Sequence, residues 1–414
     1  MKEVKILYIA PFVDPKIKNK RGYSANHPAG NKKILGIVNS LNKSRIDVEV
    51  LSPLLLKNNT FKIFKTDKTI LPNRKNKLYY PFTLDIKYFC LIITIISTLF
   101  LIIKWTLKNK NSDKIVMFYN YRLETCIPAI IARKVLNVAL IVDYEDGVYA
   151  VKETNKYYKR ISSFIEEKTK SLLDGGILVT SLLKDRIDIN NYEVIRGIIG
   201  DEKIDSIKNR EKHSEEFNIV YSGRLDFERG IEVLIDAIKY IKTSKTLNII
   251  ITGYGPLETK VKEFVSCYSS PNINIKFLGF VDDVQYKELM NNADIFINPQ
   301  REKIEFSKCS FPSKILEYIQ NNKLIISSNV SDIAEINRDL FLTYKSDNPE
   351  DLARSIDKAV DQYNSLYLKF PENALLWAKS NAAETAVSKR LGNLILNTLR
   401  KRFGSTNEEY SKAN

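Results

Sequence analysis

Short apolar runs rich in valine and isoleucine alternate along this chain with longer amphipathic stretches. In the first half the runs are VKILYIA (4–10), VEVLS (48–52), KIVMFY (114–119), VALIVDY (138–144), GILVT (176–180) and YEVI (192–195). In the second half they are NIVYS (218–222), LNIIIT (247–252), NIKFLG (274–279), DIFINP (294–299), LIISS (324–328) and LFLTY (340–344). Near-continuous apolar runs of this length predict strands covered on both faces. Stretches such as IEVLIDAIKYIK (231–242) and PLETKVKEFVSCY (256–268) predict helices between them. Strand–helix alternation implies right-handed crossovers and parallel sheets.

The pattern breaks once, in the charged stretch DEKIDSIKNREKHSEE, which holds no sustained apolar period. It predicts an α/β chain of two doubly wound, Rossmann-like domains. The first covers 1–200, a linker 201–216, and the second 217–370. Residues 371–403 predict one or two C-terminal helices, and 404–414 a disordered tail. A length of 414 residues suits two cores better than one. In open parallel sheets, ligands bind outside the carboxyl ends of the strands. The residues that follow the strands are therefore the candidates for chemistry.

Composition narrows the choice. Lysine and arginine number 64 against 49 acids, a net charge of +15, which favours anionic partners. The charge is spread along the chain without a zinc-finger or RNA-binding signature, so no nucleic acid partner is expected. Cys90, Cys126, Cys267 and Cys309 are far apart and read as free thiols in a reducing compartment. The two histidines, His27 and His213, make a histidine metal site unexpected. The first residues lead straight into EVKILYIA, too short and β-branched for a signal peptide, so a cytoplasmic protein is expected. FCLIITIISTLFLII (89–103) carries no charge. As a helix it would reach about 22 Å, short of the ~30 Å hydrocarbon core. A buried helix fits it best, a helix in peripheral contact with a membrane next, and a true span least.

Four strand ends carry recognisable chemistry. GRLDFERG (223–230) puts Gly223 where a backbone could approach a ligand closely. Its Arg224 and Arg229 form a pair of guanidinium forks suited to a diphosphate. GYGPLE (253–258) offers a tight turn through Gly253 and Gly255 into a helix begun by Pro256. FVDD (280–283) offers backbone groups to a flat base. FPSKILEY (311–318) opens a helix with Ser313 and Lys314 and places Glu317 one turn later on the same face. Lys314 and Glu317 also fit an ordinary surface pair. No GxGxxG fingerprint or P-loop is present.

In combination these motifs resemble the donor domain of GT-B glycosyltransferases of family 4, over roughly 218–328. FPSKILEY resembles a branch common in bacterial surface-polysaccharide synthesis. The resemblance implies two doubly wound domains facing a cleft, and a retaining transfer from a nucleotide sugar, UDP- or GDP-linked. It implies a glycan or lipid-diphosphate-linked acceptor, in O-antigen, capsule or exopolysaccharide synthesis, with no cofactor and no metal. Arg224 and Arg229 match its diphosphate-binding basic pair. Glu317 matches the ribose-holding second Glu of an E-x7-E region, Ser313 and Lys314 the helix start beside the phosphates, and Val281 the backbone that meets the base. Two departures stand out: Cys309 replaces the first Glu of E-x7-E, with Glu305 out of register, and Arg229 stands where Lys is usual.

The first half is looser. PAGNKKILGIVNSL (28–41) resembles the glycine-rich loop and helix of the acceptor side, with Gly30 and Asn31 nearest the reacting sugar. VDYEDG (142–147) falls where the family often has a histidine followed by an acid, so Glu145 and Asp146 are candidate catalytic carboxylates. The positive balance and the apolar 89–103 stretch fit a peripheral contact at the inner face of the plasma membrane. The alternative reading is a catalytically silent GT-B subunit that binds another transferase.

Overall fold

The computed structural model describes residues 3–23, 28–56, 58–87, 89–145, 156–205, 216–337 and 339–404. The chain divides into two compact units, residues 1–198 with 384–414, and residues 199–383.

The first unit is built on an eight-stranded sheet. Its strands in chain order are β1 (Val4–Ile9), β2 (Asp47–Leu51), β3 (Asp67–Ile70), β4 (Lys77–Tyr80), β5 (Asp113–Tyr119), β6 (Ala139–Tyr144), β7 (Gly175–Leu178) and β8 (Tyr192–Val194). Their order across the sheet is β8-β7-β6-β5-β1-β2-β4-β3. All neighbours are parallel except the edge strand β3, which runs antiparallel to β4. Every residue of β6 is buried, as expected for a strand covered on both faces. Helices α1 (Pro28–Lys43), α2 (Phe89–Lys108), α3 (Leu123–Val135) and α4 (Lys156–Thr169) belong to this unit.

The second unit has six parallel strands: β9 (Glu216–Ser222), β10 (Thr246–Thr252), β11 (Ile273–Gly279), β12 (Ile295–Asn298), β13 (Leu324–Ser328) and β14 (Leu342–Tyr344). Their order is β11-β10-β9-β12-β13-β14, so the winding reverses between β9 and β12. Helices α5 (Ile231–Ile238), α6 (Glu258–Cys267), α7 (Asp283–Asn292), α8 (Lys314–Ile319), α9 (Pro349–Asp361) and α10 (Tyr363–Asn381) connect and flank the strands. Local signals fix several starts. Asp282 closes a capping box with Gln285 on α7, and Asn348 caps α9 ahead of Pro349.

Three expectations are revised. The C-terminal helices begin at Tyr363, and the last, α11 (Glu384–Phe403), belongs to the first unit. Its stripe of Val387, Leu391, Leu394, Ile395 and Leu399 is buried in that unit's core. Burial there is worth roughly 1.5–3 kcal/mol per side chain, an upper figure that decides where the helix docks. The periodicity predicts a helix and cannot say which core takes it. The linker 201–216 opens with a helical turn at Asp201–Asp205, and Glu216 already lies in β9. Residues 206–215, with His213, lie outside the described residues, as do His27, Asp146 and the tail from 405. The apolar 89–103 stretch extends to a helix of 20 residues, about 30 Å long.

Candidate functional site

In the second unit the predicted residues gather at the reversal point between β9 and β12, outside the strand carboxyl ends. A cavity of about 140 Å³ is lined there by Ser222, Gly223, Arg224 and Arg229 after β9, by Asn298 at the end of β12, and by Pro312, Ser313 and Lys314 at the start of α8. Tyr221, Ile297 and Tyr318 complete its wall.

The glycines explain how three strand-end loops lie so close together. Gly223 N–H donates to the Thr252 carbonyl at 3.1 Å, Leu225 N–H to the Tyr254 carbonyl at 3.0 Å, and Gly253 N–H to the Gly279 carbonyl at 2.8 Å. A Cβ on Gly253 would stand 1.8 Å from the Gly223 carbonyl oxygen, and its φ of +137° already disfavours any side chain. A Cβ on Gly255 would meet the Leu225 carbonyl oxygen at 2.4 Å. The GYGP turn is therefore a backbone clasp for the arginine loop; neither glycine lines the cavity. Val281 is half-buried just beyond β11, two residues after the Gly279 carbonyl that accepts from Gly253, and does not line the cavity.

Both arginines are positioned by residues that sequence reading passed over. Asp226, buried between them, accepts from Arg229 N–H at 2.9 Å and lies 3.1 Å from Arg224 Nε. Arg229 donates to Gln300 Oε1 at 2.8 Å and stands 4.8 Å over the Phe306 ring. Gln300 is itself held by Ser307 at 3.2 Å. Arg224 is the more exposed member by contrast, with 54% of its side chain exposed. The only sequence hint for Asp226 is its place between two basic residues of one loop; Gln300 gave none.

Lys314 and Glu317 do form an i,i+3 pair, at 2.8 Å, but it is tied into a network. Lys314 donates to the Tyr286 hydroxyl at 3.0 Å, and that hydroxyl lies 3.0 Å from Glu317 Oε2. Ser222 Oγ donates to the same hydroxyl at 3.1 Å. Burial opposes the Lys314 charge, yet Glu317 and Tyr286 outweigh it and raise the lysine above its ordinary pKa. Lys314 therefore stays cationic beside the cavity at neutral pH. Cys309 is buried in the turn after Glu305–Lys308, whereas Glu305 is exposed and paired with Lys308 at 2.8 Å. Glu305 therefore does not replace the missing first Glu.

The first unit also gathers charged residues at strand ends, in a different state. Lys33 on α1 reaches Asp143 at 2.9 Å and Glu145 at 3.1 Å. Tyr8 donates to Asp143, and Tyr119 donates to Glu145 at 2.7 Å. Asn120 Oδ1 accepts the Glu145 backbone N–H at 2.7 Å. Burial pushes the Asp143 carboxyl up against the pull of Lys33. Lys33, although buried, is held protonated by its two carboxylates. Glu145 is thus a paired carboxylate rather than a loose loop acid. Asn31 accepts from Val13 N–H at 2.9 Å and donates to the Val13 carbonyl at 2.8 Å, so its amide braces the loop after β1. Gly30 sits in the first turn of α1. Lys33 lies inside the PAGNKKIL motif, and its link to residue 143 could not be read from spacing.

Residues 202–377 match the family described as "Glycosyl transferases group 1". The chain is 25% identical over 258 residues to an uncharacterized 41.2 kDa protein in the cps region of Klebsiella pneumoniae, covering 59% of this chain and 68% of that one. It is 27% identical over 190 residues to the capsular polysaccharide biosynthesis glycosyltransferase CapH of Staphylococcus aureus, 45% of this chain and half of that one. The solved structure of Anabaena Alr3699/HepE in complex with UDP matches at a TM-score of 0.62 and 14% identity, covering 94% of this chain and 99% of that one. A likeness across nearly the whole chain shows the GT-B fold, each unit contributing one Rossmann-like sheet.

Proposed function

We propose that the chain is a glycosyltransferase that moves a sugar from a nucleotide-sugar donor to a glycan or lipid-linked acceptor in surface-polysaccharide synthesis. One observation carries the reading: Gly223, Arg224, Arg229 and Lys314 converge on a single cavity at the strand reversal of the second unit. Negative charge grows on a diphosphate as its bond to the sugar breaks. Pre-placed cations stabilise that charge without reorganising, which is the larger part of such catalysis. Arg229, fixed by Gln300 and Phe306, is the preorganised member, and Arg224 is free to follow the leaving group.

The remaining assignments follow the same line. Glu317 is proposed to meet the ribose hydroxyls. The base is proposed to lie near Val281, where the exposed rings of Tyr254 and Phe280 stand 6.0 Å apart. The positive groups supply the charge a metal would otherwise bring, so metal-free transfer is part of the proposal. Retention of configuration follows the family resemblance. Capsule-related relatives and UDP held by a structural neighbour support the substrate classes. The kept basic set does not favour a catalytically silent subunit. A cytoplasmic location with peripheral membrane contact through α2 completes the reading. This helix is long and apolar enough to cross a membrane by length and composition, with a mean hydropathy of 2.2. It nevertheless buries Cys90, Thr94, Thr98, Ile102 and Trp105 in the first unit.

The test is nucleotide release from UDP-, GDP-, ADP- and CMP-linked sugars in the presence of EDTA, with and without lipid-linked glycan acceptors. The reading predicts release from one nucleotide class, and a loss of roughly 10²–10³-fold in Arg229→Ala. Unchanged release in that variant would remove the diphosphate role.

A further inference from the structure

Helix α2 is apolar on the side it presents to solvent. Phe89, Ile92, Ile96, Phe100 and Leu107 are all more than half exposed, and their spacing puts them on one stripe. The buried side carries Thr94 and Thr98 instead. A soluble surface would be expected to show the reverse.

Beside this stripe lies a second cavity, of about 360 Å³, at the low end of the ~300–1,000 Å³ range of ligand pockets. Leu7, Leu51, Leu101 and Trp105 give it apolar walls, and Lys68, Lys104 and Lys108 line it with charge. At 100° per residue, Leu101, Lys104, Trp105 and Lys108 fall on the flank of α2 between its buried and exposed faces. The cavity therefore adjoins the apolar stripe. The three ammonium groups have no hydrogen-bond or ion-pair partner among the described residues. The one acid in the wall, Glu49, already has Lys77 at 3.9 Å and the hydroxyl of Tyr79. The buried Trp105 indole N–H likewise has no acceptor among the described residues.

We infer that this cavity binds an anionic phospholipid of a bilayer, one acyl chain lying against Leu51, Leu101 and Trp105 and the phosphate head meeting Lys68, Lys104 and Lys108. Unanswered positive charge selects the head, and the apolar walls select the chain. The site deepens the peripheral membrane reading of α2 and is independent of the nucleotide site.

Trp105 provides the probe, since Trp377 is the other tryptophan of the chain. The full-length Trp377→Phe protein is mixed with vesicles of phosphatidylcholine alone, or of equal parts phosphatidylcholine and phosphatidylglycerol with brominated acyl chains. Sedimentation and fluorescence are read together. The expected result is binding to the anionic vesicles with quenching of Trp105. Changing all three lysines to glutamine should weaken that binding by on the order of 100-fold, from about a fivefold effect per charge. These lysines are exposed, so folding is not at stake. Equal binding to neutral vesicles would leave only the apolar stripe and overturn the site. Binding without quenching would reduce it to surface charge. Displacement by inorganic phosphate at millimolar concentration would make it a simple anion site. Nucleotide release, measured in parallel, separates any of these failures from failure of the transferase reading.

Discussion

Two strand-end clusters, one in each unit, use similar residues to opposite ends. In the first unit Lys33 is enclosed by Asp143 and Glu145, with Tyr8 and Tyr119 as donors. In the second unit Arg224, Arg229 and Lys314 line an open cavity, with Asp226 and Glu317 as their acidic neighbours. The first cluster answers its own cation twice over, with Lys33 and Asp143 buried and Glu145 partly exposed. The second keeps a positive surplus where a ligand can reach it. The difference lies in burial and in the sign that faces a space: carboxylates enclose the one cation of the first cluster, and cations face the cavity of the second.

Breaking the enclosed cluster should have the largest effect. Lys33→Ala leaves Asp143 and Glu145 without their cation, and removal of one partner from a buried pair costs roughly 3–5 kcal/mol. Chemical denaturation should show that loss in the first unit. An unchanged midpoint would mean that the cluster is open to water. In the second unit, Gly253→Ala drives a Cβ against the Gly223 carbonyl and should cost at least about 2 kcal/mol. The same denaturation curves, with nucleotide binding alongside, should show stability and binding falling together. Arg229→Ala should behave differently: nucleotide affinity falls roughly 10–100-fold, the equivalent of losing one charge-assisted hydrogen bond, with little change in melting temperature. If instead stability collapses and affinity holds, the two clusters are not different in kind.

The pH dependence should be smaller and two-sided. Asp67 and Asp85 are pulled up by burial. Lys20 and Arg21, and the Thr60 hydroxyl with the N–H groups at its end of the loop, win and hold them below 3.8. A depressed carboxyl contributes stability above its unfolded pKa that is lost as pH falls through the folded value. Stability of the first unit should therefore decline on acidification below 3.8, and Asp67→Asn should flatten that slope. Lys314 has the opposite sign. Its raised pKa contributes fully below 10.5 and is lost only as pH rises through the folded value. Nucleotide affinity should thus stay level from neutral pH to about pH 9, as followed by titration.

Much of the fold was legible because its strands are apolar runs that both faces bury. The strands of the eight-stranded sheet that escaped reading, Asp67–Ile70 and Lys77–Tyr80, are short, lie at one edge and each carry a lysine. The destination of α11 escaped for another reason: an apolar stripe specifies burial without specifying a partner. At the site, Gly223, Arg224, Arg229, Ser313 and Lys314 could be read because each lies in a short loop after a strand or at the start of a helix. Gln300, Tyr286 and Lys33 could not, since each acts across a gap of sequence that only folding closes. Lys33 and Asp143, for instance, are 110 residues apart. Gly253 and Gly255 were legible as a turn, while their function as a clasp depends on the neighbouring loop.

The central claim is that the surplus positive charge of the second unit is a diphosphate receptor. The most direct measurement is calorimetric titration of the purified protein with UDP, GDP, ADP and CMP in the presence of EDTA, repeated for Arg224→Ala, Arg229→Ala and Glu317→Ala. The account predicts binding of one nucleoside diphosphate without metal, weakened most by Arg229→Ala. Absence of binding by all four nucleotides, or binding indifferent to all three substitutions, would contradict it.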